Sequence, residues 1–180
     1  LLGLVIEAVS GTSYSQFLEK NIFEPLGMSN TGASTVRRSQ LAVGYDAGFE
    51  TPQINPIATF SSGSVYSTVV DLRLWERAMH SDVLLSDSTR EKYLSAYVDT
   101  FCPGSCVGGQ AYGWIRENWD GLDILLHSGW LPEWRSGMFS SFQDEYPSII
   151  VLQNTSTDGP EPVLLGLDIG RMISGYNPRN

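Results

Sequence analysis

The stretch Tyr112–Gln153, YGWIRENWDGLDILLHSGWLPEWRSGMFSSFQDEYPSIIVLQ, decides the fold. Tyr112 to Glu117 and Leu122 to His127 flank Asn118-Trp119-Asp120-Gly121, and Asp-Gly between two alternating segments signals a hairpin. Trp134 to Phe142 alternates in its turn, with Trp134, Ser136, Met138 and Ser140 on one side and Arg135, Gly137, Phe139 and Ser141 on the other. Ser148 to Gln153 is a continuous apolar run of the kind buried on both faces. Three or four adjacent antiparallel strands are expected here.

Upstream, the period is helical. Leu1, Leu2, Leu4, Val5, Ala8 and Val9 fall on one stripe, with Gly11 as a stop. Ser13 with Gln16 forms a capping box ahead of Tyr14, Phe17, Leu18 and Ile22. Pro25, Gly27 and the polar stretch 29–34 break the pattern, and 37–62 reads as a long loop. Thr68 with Asp71 starts a helix whose apolar face is Leu72, Trp75, Ala78 and Met79, and another is expected from Asp87 to Tyr97. Downstream, Pro160 and Pro162 introduce a last helix over 161–174, with Leu165, Ile169, Met172 and Ile173 on its stripe. Helices and loops over 1–105, then strands and a closing helix over 106–180, give an α+β class with an antiparallel sheet and flanking helices.

Composition narrows the function. The 180 residues are 42% hydrophobic and carry a net charge of −9. That much apolar surface excludes a disordered chain, and the acidic balance argues against a nucleic-acid partner or an anionic membrane surface. No run of 18 apolar residues is present, so no membrane-spanning segment is expected. Leu1 opens inside an apolar-periodic stretch without Met, signal peptide or cap, so the chain reads as a piece of a longer protein.

Few residues offer chemistry. Cys102 and Cys106 bracket Pro103-Gly104-Ser105; a short disulfide in an exported protein and two free thiols both remain open, and zinc lacks the ligands it needs. His80 reads as a helix-end residue near the last carbonyls. His127 ends a strand just before Ser128-Gly129, opposite the face of Leu122, Ile124 and Leu126. On spacing alone, a satisfied strand-end histidine is the simpler account of it. Gly-x-Ser-x-Gly, Gly-x-Gly-x-x-Gly, a Walker A loop and His-Glu-x-x-His are all absent. Asn154-Thr155-Ser156 is a glycosylation sequon, with meaning only in a eukaryotic secretory setting. No cofactor is indicated.

The ordered set of segments changes the weight on His127. LLGLVIEAVSGTSYSQFLEKNIFEPLGMSNT (Leu1 to Thr31), LAVGY (Leu41 to Tyr45), FSSGSVYSTVVDLRLWERAM (Phe60 to Met79), His127-Ser128-Gly129, WRSGM (Trp134 to Met138) and IIVLQN (Ile149 to Asn154) together resemble the penicillin-binding protein and serine β-lactamase superfamily. The likeness is to its class C-like branch, with esterases, D-alanyl-D-alanine carboxypeptidases and D-aminopeptidases. The resemblance implies an acyl-enzyme serine hydrolase of ester or amide bonds, acting on a small-molecule or peptide substrate without a cofactor. It also implies an extracytoplasmic or secreted location.

The family's Ser-x-x-Lys and Tyr-x-Asn motifs are missing. Of the two lysines, Lys20 follows Phe17 and Lys92 follows Thr89 at that spacing. The expectation is therefore the C-terminal part of one β-lactamase-like domain, inactive alone, whose partner is the missing N-terminal part of the same protein. By resemblance, His127 holds the cation position of the third motif and Trp130 supplies an oxyanion-hole N–H. Ser128 donates a hydrogen bond to substrate, Gly129 permits its close approach, and Trp134 lines the entrance with Trp130. A His in place of Lys leaves less fixed positive charge at neutral pH, which favours esterase or peptidase over β-lactamase chemistry. The alternative is an inactive member of the fold used for binding or assembly. About three strands and one closing helix are expected to leave a sheet edge uncovered.

Overall fold

A computed structural model describes residues 1–33, 41–46, 48–51, 58–99, 107–119, 122–143, 146–155 and 161–174. Cys102 and Cys106 lie outside the described residues. The helices are α1 (Leu2–Ser10), α2 (Tyr14–Leu18), a π turn (Glu19–Phe23), α3 (Glu24–Leu26), α4 (Val69–Met79), α5 (Asp87–Leu94) and α6 (Pro162–Ser174). The strands are β1 (Gly32–Ala33), β2 (Tyr45–Asp46), β3 (Phe49–Glu50), β4 (Val65–Tyr66), β5 (Val98–Asp99), β6 (Val107–Gln110), β7 (Ile115–Trp119), β8 (Leu122–Leu131), β9 (Trp134–Ser141) and β10 (Ile149–Gln153).

An antiparallel sheet in the order β10-β9-β8-β7-β6-β5 organises the chain, so the α+β class holds. It is larger than the expected three or four strands. Val98–Asp99 and the glycine-rich Val107–Gln110 extend it on one side, pairing Val98 with Gln110 and Gly109 with Arg116. Part of the expected loop 37–62 is also ordered, since β2 and β3 form a small ladder around Gly48 at φ 81°.

Helices cover both faces of the sheet, as strand alternation requires. Leu122, Ile124, Leu126, Phe139 and Ile149 pack under α6 through Leu167. Leu125, Met138 and Trp114 pack on the other face with Ala78 and Met79 of α4 and Leu94 of α5. The caps follow the sequence: Ser13 Oγ accepts from the Gln16 N–H in a reciprocal capping box, and Thr68 Oγ1 accepts from the Asp71 N–H. The buried Asp71 carboxylate in turn accepts from Asn30 N–H at 2.7 Å and Thr31 Oγ1 at 2.8 Å, tying the end of the first helical segment to α4.

Two apolar stripes fall differently from expectation. On α6 the buried residues are Pro162, Gly166, Leu167 and Gly170, whereas Met172 and Ile173 of the expected stripe are exposed. The cause lies at Gly170, where a Cβ would collide with the Tyr146 ring, so the helix packs closest through its smallest residue. On α1 the stripe exists but nothing described covers it. Gly3 is its buried residue, while Leu1, Leu2, Leu4, Val5 and Val9 are exposed.

Candidate functional site

The expected strand ends at His127, but β8 continues four residues further to Leu131. Pairing with β9 sustains it: Ser128 opposes Gly137, Gly129 opposes Ser136, Trp130 opposes Arg135 and Leu131 opposes Trp134. On its other edge β7 stops earlier, with Ile115 against Leu126 as the last pair. From His127 to Leu131, β8 is therefore paired on one edge only among the described residues. Such an edge presents backbone N–H and C=O groups in a row, ready to accept an extended chain.

His127 stands where that open edge begins, on the α4 face and across from Met138. Its ring meets the indole of Trp114 edge-on, with centroids 5.9 Å apart and planes at 78°. Trp114 is almost fully buried, and its Nε1–H donates to Tyr93 Oη at 3.0 Å, which fixes the ring's orientation. The imidazole reaches solvent, yet the bulk around it strips enough water to push its pKa below the usual histidine value. At neutral pH the site therefore presents a neutral imidazole. Trp114 was not distinguished by sequence from an ordinary strand residue; its spacing carries no signal for the role.

The other expected site residues divide. Trp130 is 70% exposed beside the open edge. Gly129 faces Ser136 so closely that a Cβ there would collide with the Ser136 hydroxyl. Ser128 lies on the opposite face from His127. It lines a cavity of about 250 Å³ at the start of α6, together with Ile115, Leu126 and Val163. Trp134 is half-buried and acts as a brace: its Nε1–H donates to Ala42 C=O at 3.3 Å, and Gly44 leaves no room for a side chain against its ring. Asn154 completes the brace, donating from Nδ2 to Val43 C=O at 2.8 Å and accepting from Tyr45 N–H at 2.9 Å.

His80 departs from its expected role at the helix end. Its Nε2 reaches across to Ser140 Oγ of β9 at 2.7 Å and to Glu76 Oε1 at 3.2 Å. Burial alone would raise the pKa of Glu76. Hydrogen bonds from His80, Ser148 and Ser140, with the charge of His80, outweigh it and bring the carboxyl down to about 2. Serine, histidine and glutamate are together here, but Ser140 is 1% exposed and the same imidazole nitrogen serves both partners. That arrangement cannot relay a proton from a serine attacking substrate. The Glu76–His80 spacing of four residues was the readable sign of an interaction. Among the described residues no group of acidic, histidine and cysteine side chains suits a metal ion, and no helix is long and apolar enough to cross a membrane.

A sequence profile of the beta-lactamase family matches residues 1–166. The chain is 28% identical to a D-aminopeptidase of Gluconobacter oxydans over 163 residues, covering 86% of this chain and 30% of that protein. It is also 28% identical to penicillin-binding protein 4* of Bacillus subtilis, covering 88% of this chain and 38% of that one. Among solved structures, the octameric penicillin-binding protein homologue from Pyrococcus abyssi superposes with a TM-score of 0.81 at 27% identity, over 99% of this chain and 42% of that one. The D-amino acid amidase from Ochrobactrum anthropi gives a TM-score of 0.76 at 22% identity, over 97% of this chain and 56% of that one, a likeness of fold. The chain spans about a third of the length of these curated relatives.

Proposed function

Because the chain belongs to the beta-lactamase family, we propose that it supplies the substrate-facing strand of a serine hydrolase that cleaves ester or amide bonds through an acyl-enzyme. In this reading it is the C-terminal portion of one domain, and the nucleophile and its base come from a portion that precedes it. The observation that carries the reading is the edge of β8 that, among the described residues, is left unpaired from His127 to Leu131. A substrate lies along this edge as an added strand, and Gly129 lets it come close. The Trp130 N–H donates to the developing oxyanion, a contact whose loss typically costs about 100- to 1000-fold in rate. Trp130, exposed beside the edge, covers the bound acyl group.

His127 shapes which substrates fit. A lysine at that place would offer a fixed ammonium to a substrate carboxylate; a desolvated, neutral imidazole does not. The arginines of the neighbouring strands are already engaged, Arg116 with Asp123 and Arg135 with Glu161. Esters, amides and peptides lacking a carboxylate at this subsite are therefore preferred over β-lactam acids. Acylation of the full-length protein tests the reading. Incubation with an activated ester should add the acyl mass to one serine outside this chain, and His127→Ala should slow that step strongly. Acylation inside this chain, or none by any ester, amide or β-lactam, would overturn it.

A further inference from the structure

On the α4 face of the sheet, a single carboxylate oxygen gathers side chains from three parts of the chain. Glu76 Oε1 accepts from Ser140 Oγ of β9 at 2.9 Å and from Ser148 Oγ, just before β10, at 2.7 Å. His80 Nε2 stands 3.2 Å from the same oxygen and 2.7 Å from Ser140 Oγ. A hydroxyl has one hydrogen, and Ser140 gives it to Glu76, so Ser140 can only accept from His80. His80 Nε2 therefore carries a proton. Phe142 closes the cluster, T-shaped against His80 at 5.3 Å, and the guanidinium of Arg116, paired with Asp123, lies 5.2 Å over the Phe142 ring.

Apolar surfaces hold two layers together but let them slide; hydrogen bonds to a buried acceptor admit a narrow range of positions. Ser140 opposes Leu125, and two residues along the same strand Met138 opposes His127. Ala78 and Met79, just after Glu76 on α4, share one core with Leu125, Met138 and Trp114. The carboxylate thus sets how α4 seats on the layer that carries His127. We propose that Glu76 is a positioning residue: by holding Ser140 and Ser148 to α4 it fixes the seat of Trp114, whose indole meets the His127 imidazole edge-on. The role assigned to His127 rests on the functional reading above, but the coupling does not.

The test uses the full-length protein at micromolar concentration, with diethyl pyrocarbonate as the probe. This reagent acylates neutral imidazole, so modification rate against pH gives a midpoint for each histidine, and peptide mapping separates His80 from His127. In Glu76→Leu the midpoint of His127 should rise toward that of an unshielded imidazole. In Glu76→Gln, which keeps an acceptor for both serine hydroxyls, it should stay close to wild type. A folded Glu76→Leu chain with an unchanged His127 midpoint would reduce Glu76 to a purely structural role. If Glu76→Leu does not fold, Ser148→Ala decides: a smaller rise at His127 supports the coupling, and no rise overturns it. Because the readout is a proton equilibrium in this chain, it stands or falls apart from any hydrolase activity.

Discussion

The indole of Trp114 stands edge-on to the imidazole of His127, centroids 5.9 Å apart. The pairing joins a residue sealed in the core to one open to solvent, and burial around the imidazole lowers its pKa from the ordinary histidine value. Trp114 is held in turn by Tyr93, whose hydroxyl accepts its N–H.

Replacing Trp114 by Phe should relieve part of that desolvation and raise the His127 midpoint, as read by the pH dependence of imidazole acylation. A histidine with a depressed folded pKa stays neutral in the native state while the unfolded chain takes up a proton, so acidification below the usual histidine pKa favours unfolding. Wild type should therefore lose stability through this group between neutral and mildly acidic pH, and Trp114→Phe should lose less of it. Equal pH slopes in urea titrations of the two proteins would contradict this.

Glu76 acts at lower pH. Its carboxyl is held at about 2 in the native state. A depressed carboxyl contributes stability above its unfolded pKa and loses it as pH falls through the folded value. The window is thus from about 4.5 down to about 2, and the contribution is at most on the order of 3 kcal/mol. Glu76→Gln should be less stable than wild type at pH 7 and approach it at pH 2 to 3. Parallel stability curves across that range would count against the assignment.

Glycines on the two sides of one contact should respond in opposite directions. Gly166 on α6 has room for a methyl at ordinary contact distance, so Gly166→Ala should raise stability by up to about 1 kcal/mol through helix propensity. A Cβ at Gly137 on β9 would sit 2.6 Å from the backbone of Pro162 and Val163. Gly137→Ala should push α6 off the sheet and lower the melting temperature. Thermal denaturation of the two variants checks both signs at once.

How much of this was legible in the sequence depends on what each signal measures. Alternation and the Asp-Gly turn located β7 to β10 because a half-buried strand must alternate. Val98–Asp99 is too short to show a period, and Val107–Gln110 carries two glycines, so β5 and β6 were silent. Apolar periodicity misplaced the buried face of α6 because it assigns no weight to Gly170, the residue that lets the helix pack against Tyr146. Within the candidate site, His127 could be singled out by its motif and its strand face. Trp114 and the Ser140–Glu76 contact could not, since they join residues from separate elements through tertiary packing alone.

The uncovered face of α1 should be visible in solution. Leu2, Leu4 and Val5 are exposed on one short helix, and β10 ends the sheet among the described residues. Apolar patches and free strand edges drive association. The chain alone should self-associate as its concentration rises, and charged replacements at Leu2 and Val5 should reduce this. Light scattering that shows a stable monomer at high concentration would argue that neither surface is sticky.

The side-chain amide of Asn154 has a use that sets a condition on how the protein can be made. Its Nδ2 is the nitrogen a secretory host would glycosylate within Asn154-Thr155-Ser156, and in the fold that nitrogen donates to Val43 C=O. A sugar joined there would put a bulky, hydrated group where the 41–46 segment must close down on the hairpin tip. Bacterial or cytosolic expression leaves the brace free to form. Passage through a glycosylating compartment would yield a chain whose Trp134 has lost the loop it supports.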